Sequence, residues 1–119
     1  MDILLVDDDP DMREVLGTFL TGGGHRVTAA DRAQQALQHL RQKPFQFVLL
    51  DILMPEQNGV DLLKTIKAAF PQVVVVMMTA SKDSELVMEA YRQGALDCLL
   101  KPIDMEYLKT QILDRIGKS

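Results

Sequence analysis

Several things are scarce in this sequence, and each scarcity excludes something. Cys98 is the single cysteine among 119 residues, so no internal disulfide can form and a reducing compartment is expected. No apolar run approaches the roughly 20 residues needed to cross a bilayer, and no basic stretch precedes an apolar one at the start. A membrane span and a secretory leader are therefore not expected. Positive charge is in deficit: 13 Lys and Arg stand against 17 Asp and Glu, a net −4, which argues against direct nucleic-acid binding. Repeats, low-complexity tracts and linkers are lacking too. At roughly 100–200 residues per domain, one domain over 1–119 is expected. What is present is 47% apolar and 25% charged residues, enough for one core. The charge is unevenly placed. Residues 1–14 hold Asp2, Asp7, Asp8, Asp9, Asp11 and Glu14 against Arg13 alone, a balance of −5, so the rest of the chain carries +1.

Short apolar runs alternate with stretches of helical period. The runs are Ile3 to Val6, a weaker Val27 to Ala30, Phe47 to Leu50, Val73 to Met78 and Leu96 to Leu100. The first, third and fourth are nearly continuous, the pattern of strands covered on both faces of a parallel sheet. Five helices are predicted between and after them. In the first, Met12, Val15, Leu16, Phe19 and Leu20 form an apolar stripe, with Asp9 as N-cap, Pro10 at the first position and Gly22-Gly23-Gly24 at the end. The second covers about 33–43, with Asp31 and Gln34 spaced as a capping box. The third covers about 60–69, capped by Asn58 and stopped before Pro71. The fourth covers about 84–93 and ends at Gly94. The last follows Asp104, with Met105, Leu108, Ile112 and Ile116 facing inward, and 117–119 is expected to fray. Five strands alternating with five helices give a (βα)5 α/β fold, a doubly wound parallel sheet with helices on both faces.

In such a sheet, ligands bind beyond the carboxyl ends of the strands. Asp7 and Asp8 follow the first run, Asp51 the third, Thr79 and Ala80 the fourth, and Lys101 with Pro102 the fifth. The second offers only Asp31, which has a capping role. Taken singly, each has a plain reading as a cap, a turn residue, a loop hydroxyl or a solvated lysine. Taken together they conflict, because three carboxylates converging on one edge repel one another unless a cation sits among them. Lys101 and a divalent ion remove the conflict, and oxygen-only ligands favour a hard ion, Mg2+ first. A carboxylate, a hydroxyl, a lysine and Mg2+ suit phosphoryl transfer, with an aspartyl phosphate as product.

Four segments then carry a resemblance: Val6-Asp7-Asp8-Asp9-Pro10, Asp51 through Gly59, Met78-Thr79-Ala80, and Gly94 through Pro102. In that order and spacing, the chain resembles the receiver domain of two-component response regulators over essentially its whole length. The resemblance implies a flavodoxin-like receiver fold with strand order 2-1-3-4-5. It implies Asp51 as phosphoacceptor, Asp8 as a direct Mg2+ ligand, Asp7 acting mainly through water, and Leu53 lending its carbonyl to the ion. Lys101 would pair with Asp51 and then with the phosphoryl group, which Thr79 and the Ala80 amide would also hold. The Lys101-Pro102 peptide would be cis. The donor would be the phosphohistidine of a sensor histidine kinase or phosphotransfer protein, or a small acyl phosphate. The domain would catalyse its own phosphorylation and dephosphorylation rather than act as an enzyme on others. Phosphorylation would remodel the helix 4–strand 5–helix 5 face toward an output domain or partner protein, or toward a homodimer, in the cytoplasm. The Val73–Met78 run and the Gly94–Pro102 segment resemble receivers attached to transcriptional activators.

One departure stands out. An aromatic usually occupies the position of Cys98 and swings inward as the threonine moves; a thiol cannot fill that space. Cys98 is read as a small buried residue ahead of a redox sensor, and Tyr91 and Tyr107 as packing ahead of compensation for the missing ring. Leu53 and Ser81 occupy positions that tune phosphoryl lifetime in the family, and Leu53, unable to orient water, predicts minutes rather than seconds. The enzyme alternative is a Mg2+-dependent phosphatase with an Asp-x-Asp nucleophile, since Asp7-Asp8-Asp9 has that spacing. Such enzymes usually need more chain and a Thr or Val where Asp11 stands. A third alternative is a receiver-like binding module that works without phosphorylation, against which every charged site residue is present.

Overall fold

Strand periodicity decides where the core lies. In the computed structural model, which describes residues 1–54, 57–80 and 84–117, β1 (Asp2–Val6) sends Ile3 and Leu5 to one face and Leu4 and Val6 to the other. β3 (Phe47–Asp51) does the same with Phe47 and Leu49 against Val48 and Leu50. Both faces are covered, so each of these strands is apolar throughout. β2 (Arg26–Ala30) lies at the edge and buries only Ala30, which is why its run reads as the weak one. With β4 (Val74–Thr79) and β5 (Asp97–Leu100), the five strands are all parallel in the order 2-1-3-4-5.

The helices divide between the faces. α1 (Pro10–Gly22) and α5 (105–116) cover Ile3, Leu5, Phe47 and Leu49, while α2 (Ala33–Gln42), α3 (Gly59–Ala69) and α4 (Ser84–Arg92) cover the other side. No described helix is long and apolar enough to cross a membrane.

Most predicted ends agree with what is seen. Asp9 caps α1 by accepting from the Asp11 N–H, with Pro10 at the first position, and Asn58 caps α3 through the Val60 N–H. Asp104 caps α5 through the Tyr107 N–H. The predicted capping box of α2 does not form. Arg32 takes the N-cap position and pairs with Asp31, while Gln35, rather than Gln34, accepts from the Asp31 N–H. Arg32 competes for the carboxylate, and the glutamine that reaches back is displaced by one residue. Val15 also leaves the predicted stripe: it is 54% exposed, because it stands about 100° round the helix from the buried Leu16.

Two features had no sequence signal. A two-residue ribbon, Leu53–Met54 against Gln57–Asn58, joins β3 to α3. A π-helical stretch, Leu108–Leu113, interrupts α5 and brings Leu113 into the core beside Leu108 and Ile112. Ser81, Lys118 and Ser119 lie outside the described residues.

Candidate functional site

The register of the sheet delivers the polar residues to one edge. β1 ends at Val6, so Asp7 and Asp8 follow it immediately; Asp51 is the last residue of β3 and Thr79 the last of β4. Lys101 follows β5, and its N–H donates to the Thr79 carbonyl at 2.8 Å, continuing the ladder one step past the strand. The Lys101-Pro102 peptide is cis. Asp7 is fully buried, Asp51 and Thr79 are each 5% exposed, and Asp8 and Ala80 are exposed at the rim.

Lys101 Nζ donates to Asp7 Oδ2 at 2.9 Å and to Asp51 Oδ2 at 3.3 Å. The lysine therefore bridges both buried acids and lies closer to Asp7 than to the Asp51 it was expected to favour. Asp7 Oδ1 accepts from the Asp9 N–H at 3.0 Å, and Asp51 Oδ1 from the Leu53 N–H at 3.3 Å. One carboxylate oxygen each from Asp7, Asp8 and Asp51 lies within 4.8 Å of the others.

One ammonium does not balance three carboxylates. Burial first, and the Asp7 charge second, push the Asp51 carboxyl up to about 6, against the opposing pull of Lys101. For Lys101, burial alone would favour the neutral amine, but the hydrogen bond to Asp7 and the charges of Asp51 and Asp7 outweigh it and raise its pKa. The four side chains sum to −2 when ionised, the charge that one divalent cation cancels. The donors are all oxygen and lie at the rim of the sheet, where a hard ion can keep part of its water shell. The residues fit Mg2+.

Cys98 is half-buried against the α2–α4 side of the core, and its N–H is shared by the Tyr91 hydroxyl and Asp97 Oδ1. Burial, then the Asp97 charge, push its thiol up to about 11, so almost no thiolate is present at neutral pH. Tyr91 and Tyr107 were expected as packing, yet the two residues are 46% and 41% exposed. Their hydroxyls converge on one carboxylate, at 2.9 Å to Asp97 Oδ1 and 2.7 Å to Asp97 Oδ2. Asp97 thus ties α4, β5 and α5 together. Arg13 is a second feature the sequence did not assign. Its Nη1 donates to the Asp7 carbonyl oxygen at 2.7 Å; the signal available was its standing as the one base among six acids.

The geometry does not separate the phosphatase alternative, whose nucleophile would be Asp7. Asp7 and Asp51 are both buried, and each is bonded to a backbone N–H and to Lys101. It is the family match below that leaves that alternative unsupported.

Comparison with known proteins agrees. The chain is 40% identical over 117 residues to the transcriptional regulatory protein ZraR of Klebsiella oxytoca, covering 98% of this chain and 26% of that protein. It is 41% identical over 102 residues to the DNA-binding transcriptional regulator NtrC of Klebsiella pneumoniae, covering 86% of this chain and 22% of that protein. The chain thus spans about a quarter of the length of the curated relatives it matches. The solved receiver domain of NtrX from Brucella abortus superposes with a TM-score of 0.91 at 32% identity, covering 99% of each chain. The response regulator receiver domain profile matches residues 3–113, and with it the fold, the strand-end acids and the lysine place this chain in the response regulator receiver domain family.

Proposed function

We propose that residues 1–119 form one receiver unit whose Asp51 accepts a phosphoryl group from the phosphohistidine of a sensor histidine kinase or phosphotransfer protein. The observation that carries this reading is the meeting of Asp7, Asp8, Asp51 and Lys101, from three separate strand ends, at one edge of the sheet. An Asp51 oxygen attacks phosphorus as the P–N bond breaks and its electron pair returns to the imidazole ring. Lys101 stands beside the attacked group with its charge held by two acids. Thr79 ends β4 and Ala80 follows it, so the hydroxyl and the Ala80 amide would bond the transferred oxygens. Asp7, Asp8, Asp51 and the Leu53 carbonyl would hold Mg2+, which when bound supplies positive charge to the phosphoryl oxygens.

The domain drives its own phosphorylation and the later hydrolysis. With Leu53 51% exposed beside Asp51 and without a polar side chain, the phosphoryl group lasts minutes. Its output passes through the α4–β5–α5 face to an output domain or partner protein, or to a second copy, in the cytoplasm; control of transcription is the output suggested by ZraR and NtrC.

The test is treatment with acetyl phosphate and Mg2+, followed by mapping of the labelled aspartate. Label on Asp51, abolished by Asp51→Asn and by chelation, is the expected result. Label on Asp7, or none, overturns the reading, and loss of label within seconds overturns the lifetime. Size exclusion with beryllofluoride and Mg2+ reads the homodimer directly.

A further inference from the structure

Arg13 is the single base among the first fourteen residues, and the phosphoryl chemistry leaves it unused. It stands at the fourth position of α1. Helical side chains lean toward the N-terminus, and here that lean carries the guanidinium back past the start of the helix. Its Nη1 donates to the Asp7 carbonyl oxygen at 2.7 Å, six residues earlier.

The oxygen it grips is a consequential one. The β1 ladder is spent at this point: the Asp7 N–H still donates to the Ala30 carbonyl at 3.1 Å, but Asp7 lies beyond the strand's last residue. The Asp7 carbonyl belongs to the peptide plane that joins Asp7 to Asp8. Because that plane is rigid, fixing its oxygen fixes the direction in which the chain enters Asp8. Asp7 is then held at its N–H by Ala30, at its carbonyl by Arg13, at Oδ1 by the Asp9 N–H and at Oδ2 by Lys101. Asp8, exposed, follows directly from that anchor.

We infer that Arg13 is a positioning residue for the metal site, setting the Asp7–Asp8 peptide so that the Asp8 carboxylate is presented beside Asp7 and Asp51. The inference rests on the Mg2+ reading above. Charge and position pull in opposite directions here, which makes the sign decisive. By charge alone, loss of a cation from an acidic edge makes that edge more negative and Mg2+ binds more tightly. If Arg13 positions the ligands, its loss makes Mg2+ bind more weakly.

The experiment is calorimetric titration of Mg2+ into the whole chain, for the unaltered protein, Arg13→Gln, Arg13→Lys and, as reference, Asp8→Asn, with thermal unfolding in chelator alongside. Arg13→Gln is expected to raise the Mg2+ Kd about 10-fold, the low end for residues that orient metal ligands, with the metal-free unfolding temperature little changed. Arg13→Lys, which keeps the charge on a flexible single-point donor, is expected between the two. An Arg13→Gln Kd equal to or below that of the unaltered protein overturns the inference. If Arg13→Gln does not fold, Arg13→Lys decides, and a Kd there equal to the unaltered protein's overturns it. Absence of Mg2+ uptake by the unaltered protein, matching Asp8→Asn, overturns the metal reading itself and the inference with it.

Discussion

As the proposed phosphoacceptor, Asp51 would have to be ionised to attack phosphorus, yet it lies in a place that disfavours ionisation. Burial and Asp7 raise its carboxyl from 3.8 to about 6. A carboxyl raised in the folded state contributes stability that is complete below the unfolded value and is lost as pH rises through the folded one. Metal-free protein should therefore lose stability between about pH 4 and pH 6 on this account. Asp51→Asn should remove that slope and raise stability at pH 7 by about 1–2 kcal/mol, less than the full shift because the site opens to water. Thermal unfolding in chelator across that range checks it, and an Asn variant with the original slope contradicts it. Asp2 works in the opposite sense: Arg26 first, with Lys43, holds its carboxyl well below the usual range, so its contribution is present above 3.8 and lost below. Lys101→Met leaves Asp7 and Asp51 facing each other unneutralised. The expected cost is about 3 kcal/mol at neutral pH, shrinking as acid protonates Asp51, which chemical denaturation at two pH values resolves.

At the scale of elements, much was legible because one physical rule governed it. The continuous runs of β1, β3 and β4 report burial on two faces, and Asp9 with Pro10, Asn58 and Asp104 report helix starts, since each satisfies an otherwise orphan N–H. The strand-end acids and Lys101 were legible because topology turns sequence position into spatial position. What was not legible depends on side chains meeting by choice among rivals. Asp31 had Arg32 as well as a helix start to serve, and Arg13 grips a carbonyl, which carries no residue signature. Asp97 collects two tyrosines from separate helices. Gly59 belongs to the legible part and its role is now physical. A Cβ there would overlap the Asp51 carbonyl oxygen and lie 2.8 Å from Ile52 Cα, while its N–H donates to the Ile52 carbonyl at 2.7 Å. Both are main-chain atoms of the segment that presents Asp51. Gly59→Ala should cost about 2–3 kcal/mol, as overpacking against unyielding backbone does, and should slow acetyl phosphate labelling of Asp51. A variant that labels at the original rate with unchanged stability contradicts the close-approach argument.

For the molecule as a whole, the site exists only in the folded state. Asp7 and Asp8 follow one strand, Asp51 ends its neighbour and Lys101 follows a third, so an unfolded chain offers the same acids scattered rather than gathered. The charge distribution follows from this: residues 1–14 carry −5, part of it at the start of α1, where it suits the helix dipole, and part on Asp7 and Asp8, at the edge where Asp51 and Lys101 join them. A ligand that binds the folded but not the unfolded chain stabilises by mass action, about 2.7 kcal/mol at a concentration 100 times its Kd. For a domain of this size, roughly 4 °C accompanies each kcal/mol, so saturating Mg2+ should raise the unfolding temperature by roughly 10 °C. Asp8→Asn should abolish most of that rise while leaving the metal-free protein folded, because Asp8 is exposed and the core does not lean on it. Sodium chloride at matched ionic strength separates binding from screening. Screening relieves repulsion among the acids without needing Asp8 in particular, so a rise of equal size with sodium, or one that survives Asp8→Asn, would mean that Mg2+ acts through the ion atmosphere rather than at a site.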